Sequence, residues 1–262
     1  MDRTLLCDIS HYQDNDFTPV KPELGHLKDA GIQGAILRCS ENLYYDHLFE
    51  YYWGESITHN FPAMVYGFLD YWPGSADAGA QGKFLVSAFT NKTKTRAWCD
   101  FERPSMSFPI LPPRQNCLDM IHNWMDQTDA GMGMESGLYT NLFTIAYLSP
   151  LPSWLINRPF WLAWPIIKSG VDIIQYTRNM TELPTIPFTN RKLWQFTWTG
   201  PGIIAGMESA GLDLDWFEGT MEDLEVFLGK ELPSPTPPPQ PDIKQQLIVL
   251  LDEVATLVEQ LP

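Results

Sequence analysis

Eight short apolar runs constrain this chain most. They fall at 4–9 (TLLCDI), 34–39 (GAILRC), 63–69 (AMVYGFL), 96–102 (RAWCDFE), 136–140 (SGLYT), 159–164 (PFWLAW), 192–197 (KLWQFT) and 211–216 (GLDLDW). Each has the length of a buried strand, and helix-like stretches separate the early ones at about 20–30, 46–59, 75–90 and 114–128. Repeated strand–helix units predict a parallel sheet with helices outside. Eight strands in one domain predict a closed α/β barrel. The later strands have little helix between them, so the barrel is expected to be irregular and flattened on that side.

The barrel domain is expected to span residues 1–232. Residues 233–241 then hold six prolines in nine positions. Proline fixes φ and lacks the N–H, so this stretch reads as a semi-rigid spacer. Beyond it, Ile243, Leu247, Leu250, Val254, Leu257 and Leu261 recur at spacings of 4 and 3, the stripe of an amphipathic helix over 242–262. Self-association through this helix into a homo-oligomer is one reading, and docking on the barrel is the other.

Composition narrows the function. Seventeen basic against 32 acidic residues give a net charge of -15, which argues against a nucleic-acid partner, since binding a polyphosphate needs Lys and Arg clusters. No run approaches the roughly 18 uninterrupted apolar residues of a membrane span, so no membrane insertion is expected. Met1-Asp2-Arg3-Thr4 lacks the layout of a secretory signal, which predicts residence in the cytoplasm of the producing cell until release. Cys7, Cys39, Cys99 and Cys117 form no C-x-x-C pair and are expected as reduced buried thiols. Ten Trp suit a protein that stacks flat rings on sugar faces, with core packing the alternative for each.

In an α/β barrel the chemistry sits at the C-terminal ends of the strands. Carboxylates collect there: Asp8 on the first run, Asp70 after the third, Asp100 and Glu102 on the fourth, and Asp213 and Asp215 on the last. Alternation puts Trp98, Asp100 and Glu102 on one face and Ala97, Cys99 and Phe101 on the other. The apolar set suits packing under helices, leaving the carboxylates to the lumen. Two strand residues at i and i+2 start about 6.6 Å apart at their backbones, so Asp100 and Glu102 should titrate apart. One acid and one anion are what glycoside hydrolysis needs.

The order of motifs is more specific than any one of them. Asp8-Ile9-Ser10-His11-Tyr12-Gln13, Arg38-Cys39-Ser40-Glu41, Tyr66-Gly67-Phe68, Asp100-Phe101-Glu102, Gly137-Leu138-Tyr139-Thr140-Asn141, Trp161-Leu162-Ala163-Trp164, Trp194-Gln195-Phe196 and Gly211-Leu212-Asp213-Leu214-Asp215-Trp216-Phe217 follow one another over about 5–220. In this the chain resembles glycoside hydrolase family 25, the muramidases or Chalaropsis-type lysozymes. The resemblance implies endo-cleavage of the β-1,4 bond between N-acetylmuramic acid and N-acetylglucosamine in bacterial peptidoglycan, without metal or cofactor. It implies Glu102 as general acid, Asp100 as second carboxylate, and Asp8 and Asp213 as supporting carboxylates. Tyr66, Phe68, Asp70, Tyr139, Trp164, Gln195, Trp198 and Asp215 are the expected substrate-binding residues. A phage endolysin is the expected setting. A non-catalytic peptidoglycan-binding or virion structural protein on the same barrel is the alternative. Arg38, Asn42, Gly67 and Asp215 depart from the family pattern, where Lys, Gly, His and Asn are usual. His11 is expected to hydrogen-bond at the rim, and Glu41 either to pair with Arg38 or to face solvent.

Overall fold

A computed structural model describes residues 2–14, 18, 21–102, 111–203 and 205–230. The proline spacer and the tail helix expected at 242–262 lie outside the described residues. All eight expected strands form: β1 (Thr4–Ile9), β2 (Gly34–Glu41), β4 (Ala63–Phe68), β5 (Ala97–Asp100), β6 (Gly137–Asn141), β7 (Phe160–Ala163), β8 (Arg191–Pro201) and β9 (Gly211–Phe217). A two-residue β3 (Tyr44–Tyr45) adds to the end of β2. The eight close into one barrel in the order β1-β9-β8-β7-β6-β5-β4-β2, and β2 pairs back on β1.

The expectation of a wholly parallel sheet is corrected at one strand. β9 runs antiparallel to both β8 and β1, while the other pairings around the barrel are parallel. The cause is the short connection. The described residues of 202–210 carry no helix, so the chain returns as a hairpin, not a crossover. The rim therefore meets the beginning of β9, and Asp213 stands level with Asp8 (Asp8↔Asp213). Asp215 lies one step deeper, opposite Leu6 and Gln195.

Alternation sorts the apolar residues into two packed sets. The lumen holds Leu6, Ile36, Met64, Trp98, Trp161, Leu193 and Phe217, with Leu224, Phe227 and Leu228 from the last helix, α8 (Met221–Phe227), and the residues after it packed against them. The outer layer holds Leu5, Cys7, Leu37, Cys39, Val65, Cys99, Phe101, Leu162, Trp194 and Trp216 beneath the helices. Five of the ten Trp (98, 124, 161, 194 and 216) are among the largest fully buried side chains. Each removes roughly 150–250 Å² from water, on the order of 4–6 kcal/mol before ordering entropy is counted. All four cysteines are free and buried.

The expected helices appear as α1 (Leu24–Asp29), α2 (Phe49–Thr58), α3 (Ala78–Ser87) and α4 (Arg114–Met132). Asp77 caps α3 by accepting from Gly79 and Ala80 N–H, and Gly133, at φ +70, ends α4 in the left-handed conformation that glycine adopts freely. The second half has only short pieces: α5 (Leu142–Leu148), α6 (Ser153–Ile156) and α7 (Ile173–Arg178). Gly67 faces α3 and α4 and not the lumen. A Cβ there would come 2.8 Å from Leu85 Cδ1 and 3.1 Å from Trp124 Cζ2. Glycine at this position lets Trp124 of α4 pack against the strand. Gly137 is required from the other side, because a Cβ would sit 2.2 Å from Trp98 Cζ3.

Candidate active site

Above the apolar plug, the open end of the lumen is polar. Asp8, Arg38, Tyr66, Asp100, Tyr139, Gln195 and Asp213 come to it from seven strands, with Glu102 two residues past the end of β5. A hydrogen-bond chain ties them. Tyr139 OH donates to Gln195 Oε1 (3.0 Å), and Gln195 Nε2 donates to Asp8 Oδ2 (2.8 Å) and, at 3.4 Å, to Asp213 Oδ2. Below it, Trp161 Nε1 donates to Asp215 Oδ1 (2.7 Å), and the Asp8 and Asp215 carboxyl groups lie close enough to perturb each other's ionisation. Aromatic rings wall the site, with Tyr139 4.3 Å and Tyr66 6.2 Å from Trp161 by ring centroids.

The opening motif divides into chemistry and scaffold. Asp8 belongs to the lumen. Ser10 and Gln13 form a capping box around the single turn His11–Gln13: Ser10 N–H donates to Gln13 Oε1 (2.7 Å) and Tyr12 N–H to Ser10 Oγ (3.3 Å). The His11 backbone N–H donates to Asp46 Oδ2 (3.0 Å), and its ring Nδ1 lies 2.8 Å from the same oxygen, so His11 bonds at the rim as expected. His11, Asp46 and His47 bring metal-ligand atom types within 4.8 Å of one another. Both Asp46 oxygens, however, already serve the His11 and Leu48 N–H groups, which makes this cluster a pin for the loops. Glu41 is ion-paired with Arg38.

Electrostatics follow from burying five carboxyl groups together. Burial pushes Glu102 up to about 7, with the Asp213 charge adding to the rise and the Asn141 hydrogen bond opposing it. Asp213 is pushed up to about 6 by burial. Asp100 is raised well above the usual carboxylate range by burial and then by the Glu102 charge, against the pull of Arg38. Asp8 and Asp215 are raised chiefly by burial. Asp100 Oδ1 is buried without a hydrogen-bond partner among the described residues.

Several residues expected to bind substrate lie away from the lumen mouth. Asp215 is fully buried and too deep to meet a sugar; it supports Asp8 from below. Trp164 is turned out of the lumen, because alternation puts Trp161 and Ala163 inward. It stacks on Trp194 at 5.7 Å and takes the Trp194 Nε1 hydrogen bond on its carbonyl. Asp70 is occupied in holding loops, accepting from Asn42 Nδ2 and Trp72 N–H. Trp198 is half exposed on the β8 extension beyond the rim. Tyr66, Tyr139 and Gln195 are placed at the lumen mouth, and Phe68 beside Asp100 in register.

Asn141 is the residue that sequence reasoning missed. Its Oδ1 accepts from Thr144 N–H and caps α5, which leaves Nδ2 to donate to Glu102 Oε2 (3.1 Å). The available signal was an N-cap residue ending a barrel strand. Asn141→Asp keeps the cap and replaces the donor by an anion. It should raise the Glu102 pKa and move the alkaline limb of the pH–rate profile upward. An unmoved limb would remove Asn141 from the site.

The buried acids also predict how stability depends on pH. A group whose folded pKa is raised contributes stability present below its unfolded pKa and lost as pH rises through the folded value. Here that window opens near 3.8 for Asp and 4.5 for Glu and runs through about 6 for Asp213 and about 7 for Glu102. Thermal melts should give a lower Tm near pH 8 than near pH 5. Asp215→Asn, which can still accept from Trp161 and can donate to Asp8, should narrow that gap. A gap unchanged in the variant would contradict the assignment.

A closed α/β barrel with paired carboxyl groups at the strand ends is the layout of a glycoside hydrolase, and the comparisons agree. Residues 7–203 match the profile of Glycosyl hydrolases family 25. The chain belongs to that family and is a glycoside hydrolase of the lysozyme class. The fold is similar to that of the bacterial lysozyme from Streptomyces coelicolor (18% identity, 87% of this chain and 97% of that one, TM-score 0.68). It is similar to a family 25 lysozyme from Aspergillus fumigatus (17%, 87% and 99%, 0.66). It is also similar to the catalytic domain of an endolysin from bacteriophage P40 of Listeria monocytogenes (20%, 87% and 98%, 0.59). No curated protein sequence matches the chain.

Proposed function

We propose that the protein is an endo-acting N-acetylmuramidase that hydrolyses the β-1,4 bond between N-acetylmuramic acid and N-acetylglucosamine in peptidoglycan. The observation that carries this is Glu102. It is a carboxyl group pushed up to about 7 at the mouth of an aromatic-walled lumen, with Asp100 two residues before it. Glu102 is protonated at mildly acidic pH and donates to the leaving glycosidic oxygen. Asp100 presents to the substrate a buried acceptor that has no partner among the described residues. That atom suits an N–H donor such as the sugar's acetamido group, and the positive charge that develops beside it favours the ionised form of Asp100. Asp8 and Asp213, bridged by Gln195, fix the opposite wall.

The face around the mouth fits a polymer. Exposed Tyr12, Tyr44, Phe143, Ile167, Trp198 and Ile203 all stand on segments that leave the rim ends of strands. Among the described residues no helix is long and apolar enough to cross a membrane. An endolysin role is supported by the endolysins among the similar folds. Purified bacterial cell walls should lose turbidity with this protein and keep it with Glu102→Gln. Walls that bind the wild-type protein without lysing would favour a non-catalytic glycan binder.

A further inference from the structure

One groove on the catalytic face lies outside the carboxylate site. It encloses about 400 Å³ between the segment after β7 and the upper part of β8, and Ile166, Ile167, Lys168, Val171, Thr197 and Trp198 line it. Two features place it beside the mouth. Ala163, the last residue of β7, is the register partner of Gln195 in the middle of β8, and the groove begins two residues beyond each. Ile166 N–H then donates to the Phe196 carbonyl (2.7 Å), which holds the two walls together.

Its chemistry differs from that of the lumen. The lumen is a ring of carboxyl groups, in a chain of net charge -15. The groove has apolar walls, an exposed indole and one ammonium group. Lys168 Nζ sits 4.0 Å from the centre of the Tyr176 ring, which orients its charge without neutralising it. The nearby acid, Asp172, is engaged at the start of α7, accepting from Ile174 and Gln175 N–H. A cation over an apolar floor recognises a short acidic peptide. Peptidoglycan carries such a peptide on the lactyl group of each N-acetylmuramic acid, a few bonds from the scissile linkage. An acidic lumen repels those carboxylates, so a cation beside the mouth relieves that repulsion and sets the strand's direction.

We propose that this groove binds the acidic peptide branch of the glycan strand, with Lys168 pairing a peptide carboxylate and Trp198 and Ile167 covering its aliphatic part. The inference rests on the muramidase reading. Its test compares native glycan strands with the same strands stripped of peptide by an amidase, for wild type and Lys168→Glu. The ratio of kcat/KM on peptide-bearing to stripped glycan should fall about fivefold in the variant, the scale of one partly exposed ion pair. The fall should shrink at high salt. A ratio equal to wild type would overturn the proposal, whether the variant loses no activity or loses it equally on both glycans. A wild-type protein that cleaves neither glycan would overturn the muramidase reading itself.

Discussion

Glu102→Gln should lower the lytic rate by about 10²–10⁴-fold, the usual contribution of a general acid. The change preserves shape and can still accept the Asn141 hydrogen bond, so the fold and glycan binding should survive. What disappears is the transferable proton. The wild-type rate should fall as pH rises through about 7, where Glu102 ionises and can no longer donate. The variant's residual rate should lose that alkaline limb, because no group with that pKa remains in the role. Circular dichroism and glycan-induced Trp fluorescence changes would establish that the variant is intact. An intact variant lysing walls at a near-normal rate would move the proton donor to another carboxyl group, with Asp213, raised to about 6, next in line.

Asp100→Asn should be severely impaired, on the order of 10²–10³-fold, as expected when a group aimed at developing charge is removed. Two losses combine. The amide cannot carry the negative charge that faces the oxocarbenium-like centre, and its nitrogen can replace an acceptor where the substrate needs one. The Glu102 charge raises Asp100, whereas Glu102 itself is raised by burial and by Asp213, so Glu102 ionises while Asp100 is still neutral. The variant's alkaline limb should therefore stay at about 7 while its maximum rate falls. A limb that moves to lower pH would mean that Asp100 is already charged when Glu102 titrates.

Much of this architecture was legible in the residues. The eight strands stood out because each is a short apolar run ended by polar or turn residues, and the lumen face followed from alternation along β5. The direction of β9 was not legible from the run itself, since parallel and antiparallel strands share the same two-residue alternation. The short connection from β8 to β9 held the clue. Trp164 could have been placed outward by counting from Trp161. For Asp215, alternation gives a face but not a depth. Its depth depends on the register with Leu6 and Gln195, which only the folded barrel defines. Asn141 escaped because its two roles, capping α5 and holding Glu102, meet only where β6 ends beside β5. Ser10 and Gln13 show the reverse case, motif residues whose spacing serves a capping box.

The central claim is which bond the barrel cleaves. Mass spectrometry of borohydride-reduced products from digested peptidoglycan tests it most directly, because the reduced sugar marks the cleaved linkage. Products ending in reduced N-acetylmuramic acid are predicted for the wild-type protein, and none above background for Glu102→Gln. Products ending in reduced N-acetylglucosamine, or intact glycan strands after incubation with folded protein, would contradict the account.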